Sequence, residues 1–258
     1  MDRLRVVDAT LCTDCQTVNM PAEEQVSLVE QLALSGNVDV IALGFLSSEP
    51  DELPLIKEVA RHVRGVGVQI GTRSKVKDIE AVWTTLQEAE RPILQVVIAT
   101  SDWYRREILQ VSRAVLLQHV KVTIAYARRL CPQVEFVAED ALRSEREYLC
   151  RLVEVAIAQG ATSIVLPDTV GCALPDEYEA IFRDLRDQVS GMDQVTLGAH
   201  CHNQLGLALA NTISAIKGGA RQITVDSYAE HHPSIEDIER VLSQRPEAFG
   251  DGTPGERR

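Results

Sequence analysis

The chain has 258 residues, 45% of them hydrophobic, which is enough to bury one large core, and a formal net charge of −12 that repels phosphate polyanions and argues against nucleic acid as a partner. No apolar run approaches the ~18 residues of a membrane span, and the polar start Met1-Asp2-Arg3 lacks the apolar core of a signal peptide, so a cytoplasmic protein without membrane contact is expected. Six cysteines in that setting read as buried apolar groups or ligands rather than a disulfide framework, and Cys131, Cys150 and Cys172 are assigned to the buried class.

In chain order, short runs rich in β-branched residues occur at 5–9, 38–45, 66–70, 93–99, 134–138, 163–167, 196–202 and 222–226. Each is followed by a longer segment with helical spacing, the pattern of parallel strands joined by crossover helices. Helix starts are marked by Pro21-Ala22-Glu23-Glu24, Ser144-Glu145-Arg146-Glu147, Pro175-Asp176-Glu177 and Ser234-Ile235-Glu236-Asp237, and stops by Gly36, Gly160 and Gly218-Gly219. Eight such units predict a single (β/α)8 TIM barrel over 1–248, with a polar tail over 249–258. No GxGxxG turn follows the first strand, which argues against a dinucleotide-binding sheet.

In a barrel the chemistry belongs at the carboxyl ends of the strands. The residues there are polar: Asp8, Cys12, Asp14 and Cys15 after the first run, Glu139 and Asp140 after the fifth, Asp168 and Thr169 after the sixth, and His200, His202 and Asn203 at the seventh. His200 and His202 are two apart, so they share one face of a strand with about 6.6 Å of backbone rise between them and can reach one metal ion; alternatively they only hydrogen-bond at the mouth. Cys12-Thr13-Asp14-Cys15 has CxxC spacing, used for zinc ligation and thiol redox chemistry, although in a chain with six cysteines it is also a common coincidence. Together these outline a metal site of His200, His202, Cys12 and Cys15, with Asp14 or Asp8 as oxygen donors. Glu139, Asp140, Asp168 and Thr169 suit proton transfer or carboxylate binding, or else cap the turns they begin. His231-His232 could add an imidazole but is expected to be an exposed pair, and His62 and His119 fall in helical patterns with no assigned role.

The stretch from Val134-Glu135-Phe136-Val137-Ala138-Glu139-Asp140 through Pro167-Asp168-Thr169-Val170-Gly171 to His200-Cys201-His202-Asn203-Gln204-Leu205-Gly206 resembles the 2-isopropylmalate synthase and homocitrate synthase group in order and spacing. The resemblance runs from the first strand to the last helix. It implies a barrel in which a divalent metal binds a 2-oxo acid while an acyl-CoA enolate attacks its ketone. It assigns His200 and His202 to the metal, Glu139 to the acid that lines the site and Thr169 to the substrate carboxylate; Glu139 is taken as a catalytic candidate, and Asp8 and Asn203 as further substrate-binding candidates.

The first-strand motif departs from the pattern. Where the group has Leu-Arg-Asp-Gly-Glu-Gln, this chain has Leu11-Cys12-Thr13-Asp14-Cys15-Gln16, so Cys12 stands for the catalytic arginine and Thr13 for the metal-binding aspartate. Tyr104 stands where the group has a histidine after the fourth strand, and the loop Tyr228-Ala229-Glu230-His231-His232 lacks the group's asparagine. A cysteine cannot offer the cationic fork of an arginine. The missing arginine argues against an ordinary synthase of the group, and two other outcomes stay open. One is an altered enzyme acting on a 2-oxo acid or related carboxylate, with zinc, iron or manganese at a rewritten site that includes Cys12 and Tyr104. The other is a catalytically altered barrel that binds or regulates a second protein subunit. By analogy with the group, a homodimer is expected.

Overall fold

The computed structural model describes residues 4–12, 20–46, 53–227 and 231–252. Eight parallel strands close in sequence order: β1 (Arg5–Asp8), β2 (Val40–Leu46), β3 (Gly67–Arg73), β4 (Pro92–Ala99), β5 (Val134–Glu139), β6 (Ser163–Asp168), β7 (Thr196–Cys201) and β8 (Gln222–Val225). Closure is made by the β1–β8 pairing, in which Arg5, Val6, Val7 and Asp8 face Gln222, Ile223, Thr224 and Val225. The helices α1 (Ala22–Leu34), α2 (Leu53–His62), α3 (Val76–Leu86), α4 (Arg113–Leu130), α5 (Arg146–Ala158), α6 (Pro175–Gln188), α7 (Ala208–Gly218) and α8 (Ile235–Gln244) follow the strands one by one. This is the (β/α)8 TIM barrel that the alternation predicts.

The strands read as nearly unbroken apolar runs because both of their faces are covered. Outward residues such as Ile41, Ile70, Leu94, Phe136 and Ile164 pack under the helices in the main core. Val7, Ala9, Val40, Ala42 and Ile93 form a separate apolar cluster with Cys12 against it. Beside it is a polar layer absent from the sequence reading. The buried Glu135 of β5 accepts from Gln69 Nε2 of β3 at 2.6 Å and Gln95 Nε2 of β4 at 2.7 Å through Oε1, and from Gln222 Nε2 of β8 at 2.6 Å through Oε2. One carboxylate thus ties four strands. A Cβ at Gly71 would stand 2.7 Å from Gln95 Oε1, so the glycine lets β3 pass this layer.

Two local expectations shift. Ser144, read as a helix cap, instead bonds Thr100 Oγ1 at 2.8 Å and Asp140 O at 3.3 Å, and Glu145 caps α5 by accepting from Glu147 N. The segment read as a tail from 249 begins with Phe249, which packs on the cluster of Leu4, Val6, Ile223 and Val225 from the middle of a 3-10 segment, Pro246–Gly252.

Removing the Glu135 carboxylate would leave two buried amide groups and one part-buried one without their acceptor. Glu135→Ala is expected to lower unfolding free energy by about 3–5 kcal/mol, read from urea denaturation.

Candidate metal and substrate site

Inward-facing positions alternate along each strand, and at the carboxyl ends they converge on a cavity of about 350 Å³. Its lining includes Arg73, Tyr104, Glu139, Thr169, His200, His202 and His232. The pleat explains the set: on β7, Gly198, His200 and the following His202 share a face, and on β5, Glu135, Val137 and Glu139 do.

The three imidazoles form one cluster. Their ring centroids are 4.9 Å apart for His200 and His202, 4.5 Å for His200 and His232, and 5.0 Å for His202 and His232, and one nitrogen of each lies within 4.8 Å of the others. His232 Nδ1 donates to Cys201 O at 2.9 Å, because a carbonyl can only accept, and this leaves the Nε2 lone pair for a ligand. His200 Nδ1 pairs with Thr224 Oγ1 at 3.1 Å. Burial, reinforced by the other two imidazoles, holds His200 well below the usual histidine range, and burial pushes His232 down to about 4. Both rings are therefore neutral at pH 7, the form that binds metal.

His232 corrects the expectation of an exposed pair: it is 4% exposed, with its ring seated against His200 and bonded to the Cys201 carbonyl. Neither residue composition nor periodicity marks such a contact; the signal available was the histidine content of a loop after the eighth strand. Cys172 is likewise exposed rather than buried.

The other expected site residues divide. Glu139 lines the cavity, and its carboxyl is raised above the usual 4.5 by burial, with the charge of Arg73 partly offsetting this and Asp140 adding to it. Thr169 Oγ1 accepts from Asp140 N at 3.1 Å, which leaves its proton to donate elsewhere. Tyr104 opens a π-helical turn, Tyr104–Leu109, that forms part of the wall. Cys12 lines the cavity, but its Sγ points to Ala42 O at 3.9 Å and does not join the imidazole cluster. Asp14 and Cys15 lie outside the described residues. Asp8 and Asn203 are not among the lining residues. Asp8 accepts from Thr10 N at 2.9 Å and Ser227 Oγ at 3.1 Å, locking β1 to the end of β8, and burial raises its carboxyl. Asn203 Oδ1 accepts from Ala208 N at 3.1 Å and so caps the start of α7. Sequence reading missed Arg73, because it ended the third strand at residue 70, whereas β3 continues to Arg73 and places it on the inward face with Gln69 and Gly71.

Fold and site define an eight-stranded parallel barrel with an imidazole cluster and a carboxylate at its carboxyl mouth. The chain belongs to the HMGL-like family, whose pattern matches residues 3–226. It is 38% identical over 255 residues to a 2-isopropylmalate synthase of Carboxydothermus hydrogenoformans, covering 96% of this chain and 50% of that protein. It is 36% identical over 256 residues to a 2-isopropylmalate synthase of Aquifex aeolicus, covering 97% and 49%. The chain thus spans about half the length of these relatives. Among solved structures, the fold matches an HMG-CoA lyase of Acinetobacter baumannii in complex with coenzyme A and 3-methylmalate, with a TM-score of 0.73 at 18% identity over 98% of this chain and 89% of that one. It also matches a hydroxymethylglutaryl-CoA lyase of Pseudomonas aeruginosa, with a TM-score of 0.72 at 18% identity over 97% and 91%.

Asp168, a candidate for either chemistry or capping, holds the β6–α6 turn: Oδ1 accepts from Cys172 N at 3.2 Å, and Oδ2 from Ala173 N at 3.1 Å and Asn211 Nδ2 at 3.4 Å. Asp168→Ala is expected to cost about 2–3 kcal/mol in urea denaturation.

Proposed function

We propose that this barrel is a metal-dependent enzyme that makes or breaks a carbon–carbon bond in a 2-oxo acid or related carboxylate, with an acyl-CoA as co-substrate. The observation that carries the proposal is the convergence of three imidazoles, two of them held neutral by burial, on a cavity that also holds Glu139 and Thr169. The identity to proteins named 2-isopropylmalate synthase supports the reaction class, and the coenzyme A complex of a structural neighbour is in keeping with it.

The donor set fits a divalent ion. Two of its imidazoles are held through Nδ1 by a carbonyl and a hydroxyl, the arrangement that orients metal-binding histidines. An all-imidazole set suits zinc or iron, with manganese less favoured. His200, His202 and His232 would hold the ion, which when bound supplies a Lewis acid for a carbonyl oxygen. Around it the chain's own groups have separate tasks. Thr169, its oxygen engaged by Asp140 N–H, donates its hydroxyl proton to a substrate carboxylate. Glu139, raised towards neutrality by burial, accepts a proton from the carbon next to the thioester carbonyl. Tyr104, Val97 and Val137 close the apolar wall and keep water from the reacting carbon.

A second reading rests on Cys12. The residue standing for the arginine of the resembling group turns its thiol to a backbone carbonyl and brings no cation to the mouth, as expected of a barrel that only binds.

Elemental analysis of untagged protein separates the two. About one zinc, iron or manganese ion per chain is expected, falling at least tenfold in His232→Ala and unchanged in Cys12→Ser. No metal above trace after incubation with each ion overturns the enzyme reading in favour of the binding one. Loss of metal in Cys12→Ser would bring the thiol back as a ligand.

Glu139→Gln is expected to lower turnover of 2-oxo acid and acyl-CoA about 10²–10⁴-fold with metal content unchanged. Because the base must be ionised and its pKa is raised, the wild-type rate should fall with decreasing pH through a value above 4.5, and the variant should lack that limb.

A further inference from the structure

His119 stands apart from the imidazole cluster. It projects from α4 to the turn after β3, where its Nε2 lies 2.7 Å from Ser74 Oγ. One helical turn on, Thr123 Oγ1 donates to the Ser74 carbonyl at 3.5 Å, so two side chains on one face of α4 hold this serine. With the ring proton on Nδ1, Nε2 accepts from the serine hydroxyl, the pairing in which an imidazole activates a nucleophile. Partial desolvation holds His119 below the usual histidine range, so the ring is neutral at pH 7 and free to take that proton.

The pair faces a second cavity, of about 290 Å³, whose wall includes Ser74, Lys75 and His119. Its remaining lining is chiefly apolar, with Ile98, Val111 and Leu116 among it, which suits a short acyl chain. The two cavities meet at Arg73, Val97, Tyr104 and Glu139, which line both. An acyl group held in the first thus borders the cavity of the serine. Lys75 adds positive charge beside that serine, where a carbonyl oxygen under attack gathers negative charge.

We infer that Ser74 and His119 form a nucleophile and general base that hydrolyse a short-chain acyl thioester. The choice of a thioester rests on the acyl-CoA chemistry proposed above, while the dyad rests on its own geometry. Ser74 Oγ attacks the thioester carbonyl as its proton passes to His119 Nε2. The tetrahedral adduct collapses with cleavage of the C–S bond, and the departing thiolate takes the proton from His119. Water, deprotonated by the same nitrogen, then attacks the acyl-serine ester; its C–O bond breaks, the proton returns to Ser74 Oγ, and the free acid leaves. Thioester and water thus become carboxylic acid and thiol, with no change of oxidation state. Neither step calls on the imidazole cluster. A hydrogen bond that only tied α4 to the β3–α3 turn would support none of this chemistry.

The test measures release of free coenzyme A from acetyl-CoA by the whole protein, without any 2-oxo acid, by chromatography. Ser74→Ala and His119→Gln should each lower that rate about 10²-fold or more, with metal content unchanged. In parallel, a fluorophosphonate, which phosphonylates activated serines, should label Ser74 of the wild type, as located by peptide-resolved mass spectrometry, and acetyl-CoA should slow the labelling. His119→Gln should lose the label while keeping the serine. Unchanged hydrolysis in Ser74→Ala, no label on Ser74 in the wild type, or label without hydrolysis of acetyl-CoA overturns the inference. If a variant folds poorly, the wild-type label and its protection by acetyl-CoA decide alone. The same measurements on chelator-treated protein keep the two proposals apart. Hydrolysis and a labelled Ser74 in a protein that binds no metal uphold the dyad and refute the metal reading, while bound metal with an unlabelled Ser74 does the reverse.

Discussion

A single carboxylate inside the barrel carries much of the architecture. Glu135 is acceptor to amides from β3, β4 and β8, so strands far apart in the chain are fixed to β5 at one level. Burying such a group is costly unless its oxygens are satisfied, and three hydrogen bonds of 2.6–2.7 Å satisfy them. The arrangement sets the register of the inward faces. Glu139 lies four residues beyond Glu135 on the same face of β5, Arg73 four beyond Gln69 on β3, and Thr224 two beyond Gln222 on β8. The polar layer in the barrel and the chemistry at its mouth are thus successive steps on the same pleats.

The mouth combines groups whose environments push them towards useful states. Burial keeps His200 and His232 neutral and raises Glu139 towards the range of a working base, while Thr169 is oriented by a backbone amide. Residues that a pattern would place in the chemistry are in part scaffolding. Asp8 and Asp168 hold strand ends and Asn203 caps a helix. Both tasks fall at strand ends because those are the points where backbone groups lose their ladder partners and where side chains reach the cavity.

The fold was legible because a strand buried on both faces leaves a run of Val, Ile, Leu and Ala that few other structures require, and eight such runs with helical spacers close in one way. His200, His202, Glu139 and Thr169 were legible from strand alternation and from the resemblance. His232 was not, since its burial depends on contact with a ring and a carbonyl of another strand, a tertiary fact without local pattern. Arg73 was hidden by a strand end placed three residues early. The amides around Glu135 were hidden for another reason: a lone glutamine in an apolar run looks like an interruption until its partners on other strands are known.

The seating of His232 has a consequence for how this site can change over time. Its Nδ1 is held by the main-chain oxygen of Cys201, whose own thiol turns away from the mouth, where burial pushes its pKa up to about 12. Every amino acid carries that oxygen. Position 201 can therefore drift without disturbing the ring's orientation, so long as the neighbouring strand pairing stands, and the direction of the third imidazole is inherited through the backbone rather than through any one side chain.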